Sequence, residues 1–348
     1  MKRFLLLCLF AALLLTGCGH TDPTTSAGSS TPSSSPSATV TTPFWSSSAT
    51  DPTSLPTSTA PTIPIVPTQP PGEHAIVSYA PQIQNGGIPY TGLPALPAVD
   101  YLIQDPKNEK NLSTERIDFS FGVASDGKPH KRTVSNQQRF DEWGSGALAW
   151  DRISQEKVLY LTFDCGYEYE NITSEVLDIL REKGIQTTFF CTMTYLRSCP
   201  EVVARMIAEG HNVGNHSLSH PDDCAALSRE EMALQALAVE NYLRVNYGYS
   251  ARYFRFPSGV YSENAVEVLS SVGYKSVFWS IAYADWNPKN QIGPQKAMQL
   301  LTGRLHPGAV ILLHTTSRDN AQILSDFIDY AIAQGYTFRS LDDYPGWK

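Results

Sequence analysis

The sequence is short of positive charge. Its 26 Lys and Arg are outnumbered by 34 Asp and Glu, for a net charge of -8, and it lacks the basic face that a nucleic-acid partner would require. No GxGxxG or Walker-type loop follows an apolar strand-like run, so a nucleotide site is unsupported. Long hydrophobic runs are also scarce. Residues 4–15 form one that is short for a comfortable bilayer span, and no later run is long enough. Cysteine is limited to six positions with no CxxC pair, which gives no sign of a thiolate metal cluster.

What is present begins with Met1-Lys2-Arg3, a positively charged start ahead of the apolar run, as in an export signal. The run closes on Leu15-Thr16-Gly17-Cys18, which resembles the lipobox of bacterial lipoproteins and implies lipidation of Cys18 after cleavage. An ordinary signal with a coincidental cysteine is the alternative. Residues 19–72 are dominated by Ser, Thr, Pro and Ala, with too few large apolar side chains to offset the entropy of ordering a backbone. They read as a tether from a membrane anchor, extended by its prolines, that lets a domain reach into a wall polymer. Beyond Cys8 and Cys18 remain Cys165, Cys191, Cys199 and Cys224. An exported protein permits a disulfide, with Cys199 and Cys224 the favoured pair, and free buried thiols are the equal alternative.

Residues 73–156 carry prolines, glycines and short extended runs such as 117–121 without clear periodicity. They read as an irregular N-terminal extension that starts to pack near Phe119, with Trp143 and Trp150 as anchors. From 157 to 348 the pattern is regular. Apolar, β-branched runs at 158–163, 187–191, 212–214, 253–256, 276–281, 309–313 and 337–340 predict strands. Helices are predicted over 172–183 up to Gly184, over 200–209 behind Pro200, and over 228–247 from a Ser228-x-x-Glu231 capping box to Gly248. Seven strands alternating with helices predict an α/β fold, a distorted (β/α) barrel of about seven parallel strands. Active groups of such barrels sit at the C-terminal ends of strands.

The unusual polar residues fall there. Asp164 follows the first strand, His216 and His220 the third, Arg255 lies at the fourth, Asp285 follows the fifth, and His314 ends the sixth. An aspartate with two histidines spaced i and i+4 supplies a base and a metal clamp, the equipment of metal-assisted hydrolysis. Each has a plainer reading taken singly: loop histidines bonded to backbone, a structural Asp164–Arg255 pair, a buried strand histidine. Six on one face indicate one pocket.

Several runs at these residues are specific: Thr162-Phe163-Asp164, Gly166-Tyr167-Glu168, Gly214-Asn215-His216-Ser217-Leu218-Ser219-His220-Pro221, Gly259-Val260-Tyr261-Ser262-Glu263, Asp285-Trp286, and the stretch from His306-Pro307-Gly308 to Asn320-Ala321. Through them the chain, from about Phe119 onward, resembles the NodB-like polysaccharide deacetylases of carbohydrate esterase family 4. Within that family it is most similar to the delta-lactam-biosynthetic de-N-acetylases acting on muramic acid. The resemblance implies that His216 and His220 bind a divalent metal, that Asp164 is the catalytic base, and that a backbone N–H near Ser258 helps to bind the oxyanion. Imidazole ligands suit zinc. His314 is then the candidate general acid, held in its tautomer by Asp285, with Arg255 paired to Asp164, Trp286 a wall for a sugar ring and Arg318 a partner for a substrate carboxylate.

Two departures stand out. The family pattern has a second, metal-ligating aspartate where this chain has Cys165, and the muramic-acid branch commonly has asparagine there. Cys165 is therefore either a thiolate ligand favouring zinc or a residue that points away. Ser258 stands where general polysaccharide deacetylases carry an aromatic, and Ala282 replaces an acidic residue, which argues against a plain chitin or xylan substrate. The expected activity is metal-dependent de-N-acetylation of peptidoglycan glycan strands, preferring N-acetylmuramic acid. Deacetylation of N-acetylglucosamine or another acetylated polysaccharide, or metal-free glycan binding, are the alternatives.

Overall fold

The computed structural model describes residues 73–347, so the signal at 1–18, Cys18 and the tether at 19–72 lie outside the described residues. The first elements are β1 (His74–Val77) and β2 (Tyr101–Gln104), paired antiparallel, then β3 (Ile117–Asp118) and helix α1 (Lys131–Glu142). There follow β4 (Val158–Cys165), α2 (Ile172–Lys183), β5 (Thr188–Cys191), α3 (Met193–Ser198), α4 (Pro200–Ala208), β6 (Asn212–Asn215), α5 (Arg229–Tyr247) and β7 (Tyr253–Phe254). The chain continues through β8 (Val260–Tyr261), α6 (Glu263–Ser271), β9 (Lys275–Ser276), α7 (Pro294–Gly303), β10 (Ala309–His314), α8 (Arg318–Ala333) and β11 (Thr337–Phe338).

Seven strands form one parallel sheet in the order β10-β4-β5-β6-β7-β9, with β11 on the N-terminal part of β4. All eight residues of β4 are buried, the signature of a parallel strand covered on both faces. The sheet curls until the segment after β9 bonds back to β10, Ser280 N–H donating to Val310 O (2.8 Å) and Leu312 N–H to Ile281 O (2.9 Å). This is the distorted barrel expected from the sequence. The predicted strand at 276–281 is regular only over Lys275–Ser276: Val277 N–H still donates to Phe254 O (2.8 Å), but Leu148 is bridged in beside it and takes the Phe278 N–H (2.7 Å). The capping box of α5 forms on both sides, with Ser228 Oγ accepting from Glu231 N–H (3.2 Å) and Glu231 Oε2 from Ser228 N–H (2.8 Å).

The N-terminal region is more ordered than its aperiodic sequence predicts. Helix α1 has no apolar periodicity because the face it buries includes Thr133, Asn136 and Gln137 beside Phe140. That face is bonded rather than apolar: the Gln137 amide donates to Ala147 O (3.1 Å) and accepts from Ala149 N–H (2.8 Å) and Trp150 N–H (3.1 Å). Packing also begins well before Phe119. Asn241 of α5 donates to Tyr79 O (2.8 Å) and Val99 O (2.7 Å), and Tyr90 N–H donates to Asn246 O (2.8 Å). Phe119 stacks on Phe278 (4.7 Å between centroids), Trp143 packs on Phe140 (6.0 Å), and Trp150 Nε1 donates to Pro307 O (2.8 Å). The disulfide alternative is not realised, since Cys165, Cys191, Cys199 and Cys224 are all free thiols. Among the described residues no helix is long and apolar enough to cross a membrane.

Candidate active site

The C-terminal edge of the sheet opens into a cavity of about 640 Å³ lined by Asp164, His216, His220, Ser258, Trp286 and His314, together with Phe121, Tyr167, Trp279, Tyr283 and Leu312. Two walls differ in how they are built.

On the first wall Asp164, at the end of β4, is 6% exposed and accepts from Arg255 Nη1 (2.8 Å). Arg255 is fully buried. Its Nε donates to Val277 O (3.0 Å), its Nη2 to Phe278 O (3.3 Å), and its guanidinium lies 4.1 Å over the Phe190 ring. Both ends of the fork are thus fixed, and the aspartate is fixed with them. Burial pushes the Asp164 carboxyl up, but Arg255, His216 and His314 outweigh it and hold the carboxyl below its ordinary value.

His216 and His220 sit in a loop after β6 rather than on a helix. Their i, i+4 spacing reaches one pocket because Ser217 (φ 76°) and His220 (φ 51°) adopt left-handed backbone, bringing the ring centroids to 5.0 Å at 81°. His216 Nδ1 lies 2.9 Å from the Arg255 carbonyl, which can only accept, so Nδ1 carries the proton and Nε2 presents a lone pair. Burial lowers the His216 pKa to about 4, with Asp164 opposing. At neutral pH the ring is uncharged, and its 3.5 Å approach to Asp164 Oδ2 is not an ion pair. A neutral imidazole with a fixed lone pair beside a second imidazole and a carboxylate is a donor set that fits a divalent cation of the zinc type. Among the described residues no cluster of three or more His, Cys, Asp or Glu is gathered for a metal.

On the second wall His314 ends β10, its Cα in register with that of Asp164 on neighbouring β4. The two are strand neighbours rather than residues facing across the pocket. Asp285, almost wholly buried, accepts from His314 Nδ1 at Oδ1 (2.7 Å) and from His314 N–H at Oδ2 (2.8 Å). Asn320 Nδ2 donates to the same Oδ2 (2.6 Å). Burial lowers the His314 pKa, but Asp285 overrides it, and the net shift is upward. The ring is thereby disposed to carry and release a proton through Nε2.

The remaining expected site residues divide. Ser258 lines the pocket in a left-handed turn (φ 53°), followed by Gly259 (φ 68°), where a Cβ would come within 2.9 Å of the Trp279 ring and 3.0 Å of Phe119 Cβ. Trp286 stands at the rim, 60% exposed, its ring 6.4 Å from that of His314. Cys165 is placed away from the cavity. Successive side chains of a strand point to opposite faces, so the orientation that aims Asp164 inward turns the fully buried Cys165 toward Thr315, whose hydroxyl lies 3.5 Å from the thiol. Burial pushes that thiol pKa well up, the opposite of a thiolate ligand. Arg318 is not in the cavity lining either, and its guanidinium is engaged by Glu175 (2.5 Å) and Glu170 (3.3 Å). Asn320, Asn215 and Phe121 were not singled out as site residues. The two asparagines lie within the specific runs, while Phe121 carries no sequence signal because it enters from the aperiodic region.

A family model for polysaccharide deacetylases matches residues 151–277. A 30.6 kDa protein of uncharacterised activity from Geobacillus stearothermophilus is 43% identical over 189 residues, 54% of this chain and 71% of that protein. The peptidoglycan-N-acetylmuramic acid deacetylase PdaA of Bacillus subtilis is 40% identical over 190 residues, 55% of this chain and 72% of its own. The solved structure of Bacillus subtilis PdaA, a family 4 carbohydrate esterase, superposes with a TM-score of 0.63 at 35% identity, covering 67% of this chain and 98% of the other.

Proposed function

This chain belongs to the polysaccharide deacetylase family, hydrolases of carbohydrate esterase family 4 acting on carbon–nitrogen bonds, and we propose that it removes the N-acetyl group from N-acetylmuramic acid in peptidoglycan with a bound divalent metal, zinc foremost. The observation that carries the reading is the opposed setting of two pocket residues: a carboxylate held ionised by Arg255 and an imidazole held protonatable by Asp285. That is an acid–base pair for amide hydrolysis.

His216 and His220 would hold the metal, which when bound polarises the acetamide carbonyl and lowers the pKa of water. Asp164 takes the proton of the attacking water as its oxygen bonds to the carbonyl carbon. The backbone N–H at Ser258 stabilises the developing oxyanion; loss of one such donor costs on the order of a hundredfold to a thousandfold in rate. His314 Nε2 gives its proton to the sugar nitrogen as the C–N bond breaks, and acetate and the free amine leave. Trp286 at the rim offers a face for a sugar ring.

The muramic preference is supported by similarity to PdaA and by small residues, Ser258 and Ala282, in the cavity lining. Export and lipid anchoring through Cys18 complete the proposal, with the catalytic region outside the cytoplasm and the glycan strand as its partner. Mass spectrometry of peptide-stripped glycan strands incubated with zinc-loaded protein, beside Asp164→Asn, tests it. Acetyl loss from muramic residues with the native protein alone is expected, and acetyl loss confined to N-acetylglucosamine would overturn the preference.

A further inference from the structure

The loop that carries His216 and His220 is held by one buried polar chain that runs away from the pocket. Asn215, fully buried at the end of β6, accepts from Ser217 N–H at Oδ1 (2.9 Å). The Ser217 hydroxyl in turn accepts from His220 N–H (2.9 Å), so the left-handed turn between the histidines hangs on the asparagine. The Asn215 amide donates to Ala236 O of α5 (2.9 Å) and to the Tyr274 hydroxyl (3.0 Å). Tyr274 donates to Glu240 Oε2 (3.1 Å), and the same oxygen accepts from Ala251 N–H (3.0 Å). Glu240 Oε1 accepts from Ser250 Oγ (2.6 Å) and Arg244 Nη1 (3.3 Å). The buried Tyr101 of β2 lies close enough to Glu240 for its charge, after burial, to raise the Tyr101 pKa, and Arg244 Nε donates to Pro97 O (2.7 Å). Asn215, Ser217, Tyr274, Glu240 and Tyr101 are each more than nine-tenths buried, while Ser250 is partly buried and His220 is exposed.

We propose that Asn215, Tyr274, Glu240 and Tyr101 are positioning residues for the two-imidazole site, and that the N-terminal segment thereby belongs to the support of the active site. The claim rests on His216 and His220 as the metal-holding pair. A carboxylate buried among apolar side chains is costly unless its lone pairs are used; here Ser250, Arg244 and Ala251 hold the carboxylate, and the fixed carboxylate sets the direction of the Tyr274 hydroxyl. Tyr274 in turn fixes which end of the Asn215 amide faces Ser217: with Nδ2 committed to the hydroxyl and to Ala236 O, Oδ1 must face the loop. Supporting contacts of this kind typically change metal affinity by about 10- to 100-fold when lost.

The test is zinc affinity by competition with a chromophoric chelator, measured on the native protein, Tyr274→Phe, Tyr101→Phe and Asn215→Asp, with melting temperature and the imidazole nitrogen NMR signals of the metal-free proteins beside it. Tyr274→Phe keeps the packing and removes one hydroxyl, and is expected to weaken zinc by about tenfold and to shift the His220 ring signals. Tyr101→Phe is expected to act in the same direction and more weakly. Asn215→Asp keeps Oδ1 but loses both Nδ2 bonds and sets a carboxylate oxygen against Ala236 O, so zinc affinity should fall further than in Tyr274→Phe. A lowered melting temperature with zinc affinity within twofold of native and unmoved ring signals would overturn the proposal and reduce the chain to fold stability. Failure of the native protein to take up zinc would instead overturn the metal reading of the proposed function, and the ring signals alone would then decide the positioning claim.

Discussion

His216 and His314 stand in one pocket and are driven in opposite directions. Both are desolvated, and desolvation lowers an imidazole pKa. The difference lies in what each Nδ1 meets: the neutral carbonyl of Arg255 for His216, and the carboxylate of Asp285 for His314. Asp164 opposes the shift at His216 but does not overcome burial. One ring is kept neutral, with a pKa of about 4, as suits a ligand; the other is raised, as suits an acid. A single backbone or side-chain oxygen behind the ring sets the role.

The largest expected effect comes from removing the base. Asp164→Asn should lower kcat by roughly 10²- to 10⁴-fold while leaving zinc binding within a few fold, measured by steady-state kinetics and metal analysis. Retained activity would remove Asp164 from the chemistry. On the same wall, Arg255→Met leaves a buried carboxylate unpaired and should destabilise the fold by about 3–5 kcal/mol in denaturant titration.

The second wall is broken by Asp285→Asn. The raised His314 pKa means that its proton, which the proposed reaction uses, is lost only as pH climbs above the ordinary imidazole range. The alkaline limb of kcat/KM should therefore move to lower pH in Asp285→Asn, with kcat reduced about 10²-fold. An unmoved limb would assign it to another group. The stability contributed by the native pair is full below the unfolded imidazole pKa and is lost as pH rises through the folded value.

For His216 the sign reverses. Between the unfolded value near 6.5 and about 4, the unfolded chain binds a proton that the folded ring does not, so stability falls as pH drops through that window. Replacement by Gln should flatten this part of the stability profile of the metal-free protein, and an unchanged slope would place the acid sensitivity elsewhere. The smallest effect is reserved for Cys165→Ala. It should leave zinc content and kcat within about twofold, with a stability loss near 1 kcal/mol from the lost packing of one buried sulfur. A large loss of zinc would restore the thiol as a ligand.

The family, the parallel barrel and the residues of its C-terminal edge were legible in the sequence because each rests on local rules. Apolar runs of strand length, a capping box at Ser228 and glycines at 184 and 248 act over a few neighbours, and the motif runs carry the chemistry in order. Helix α1 and the β1–β2 pair were not legible. They are held by bonds outside the elements themselves, such as Gln137 to Ala149 for α1 and, just after β1, Asn241 to Tyr79, and a buried polar face has no periodic signature.

Within the site, sequence alone determined which titratable groups were available: one aspartate at the end of β4, two histidines after β6, a histidine at the end of β10. Tertiary structure decided their charge and direction. Strand alternation turned Cys165 into the wall while Asp164 faced the cavity, and Glu170 and Glu175 drew Arg318 out of it. The pKa of each imidazole depended on which oxygen the fold brought to its Nδ1, a contact between residues 39 positions apart for His216 and 29 apart for His314. Electrostatic character depends on burial and on neighbours in space, and neither is a property of a residue's neighbours in sequence.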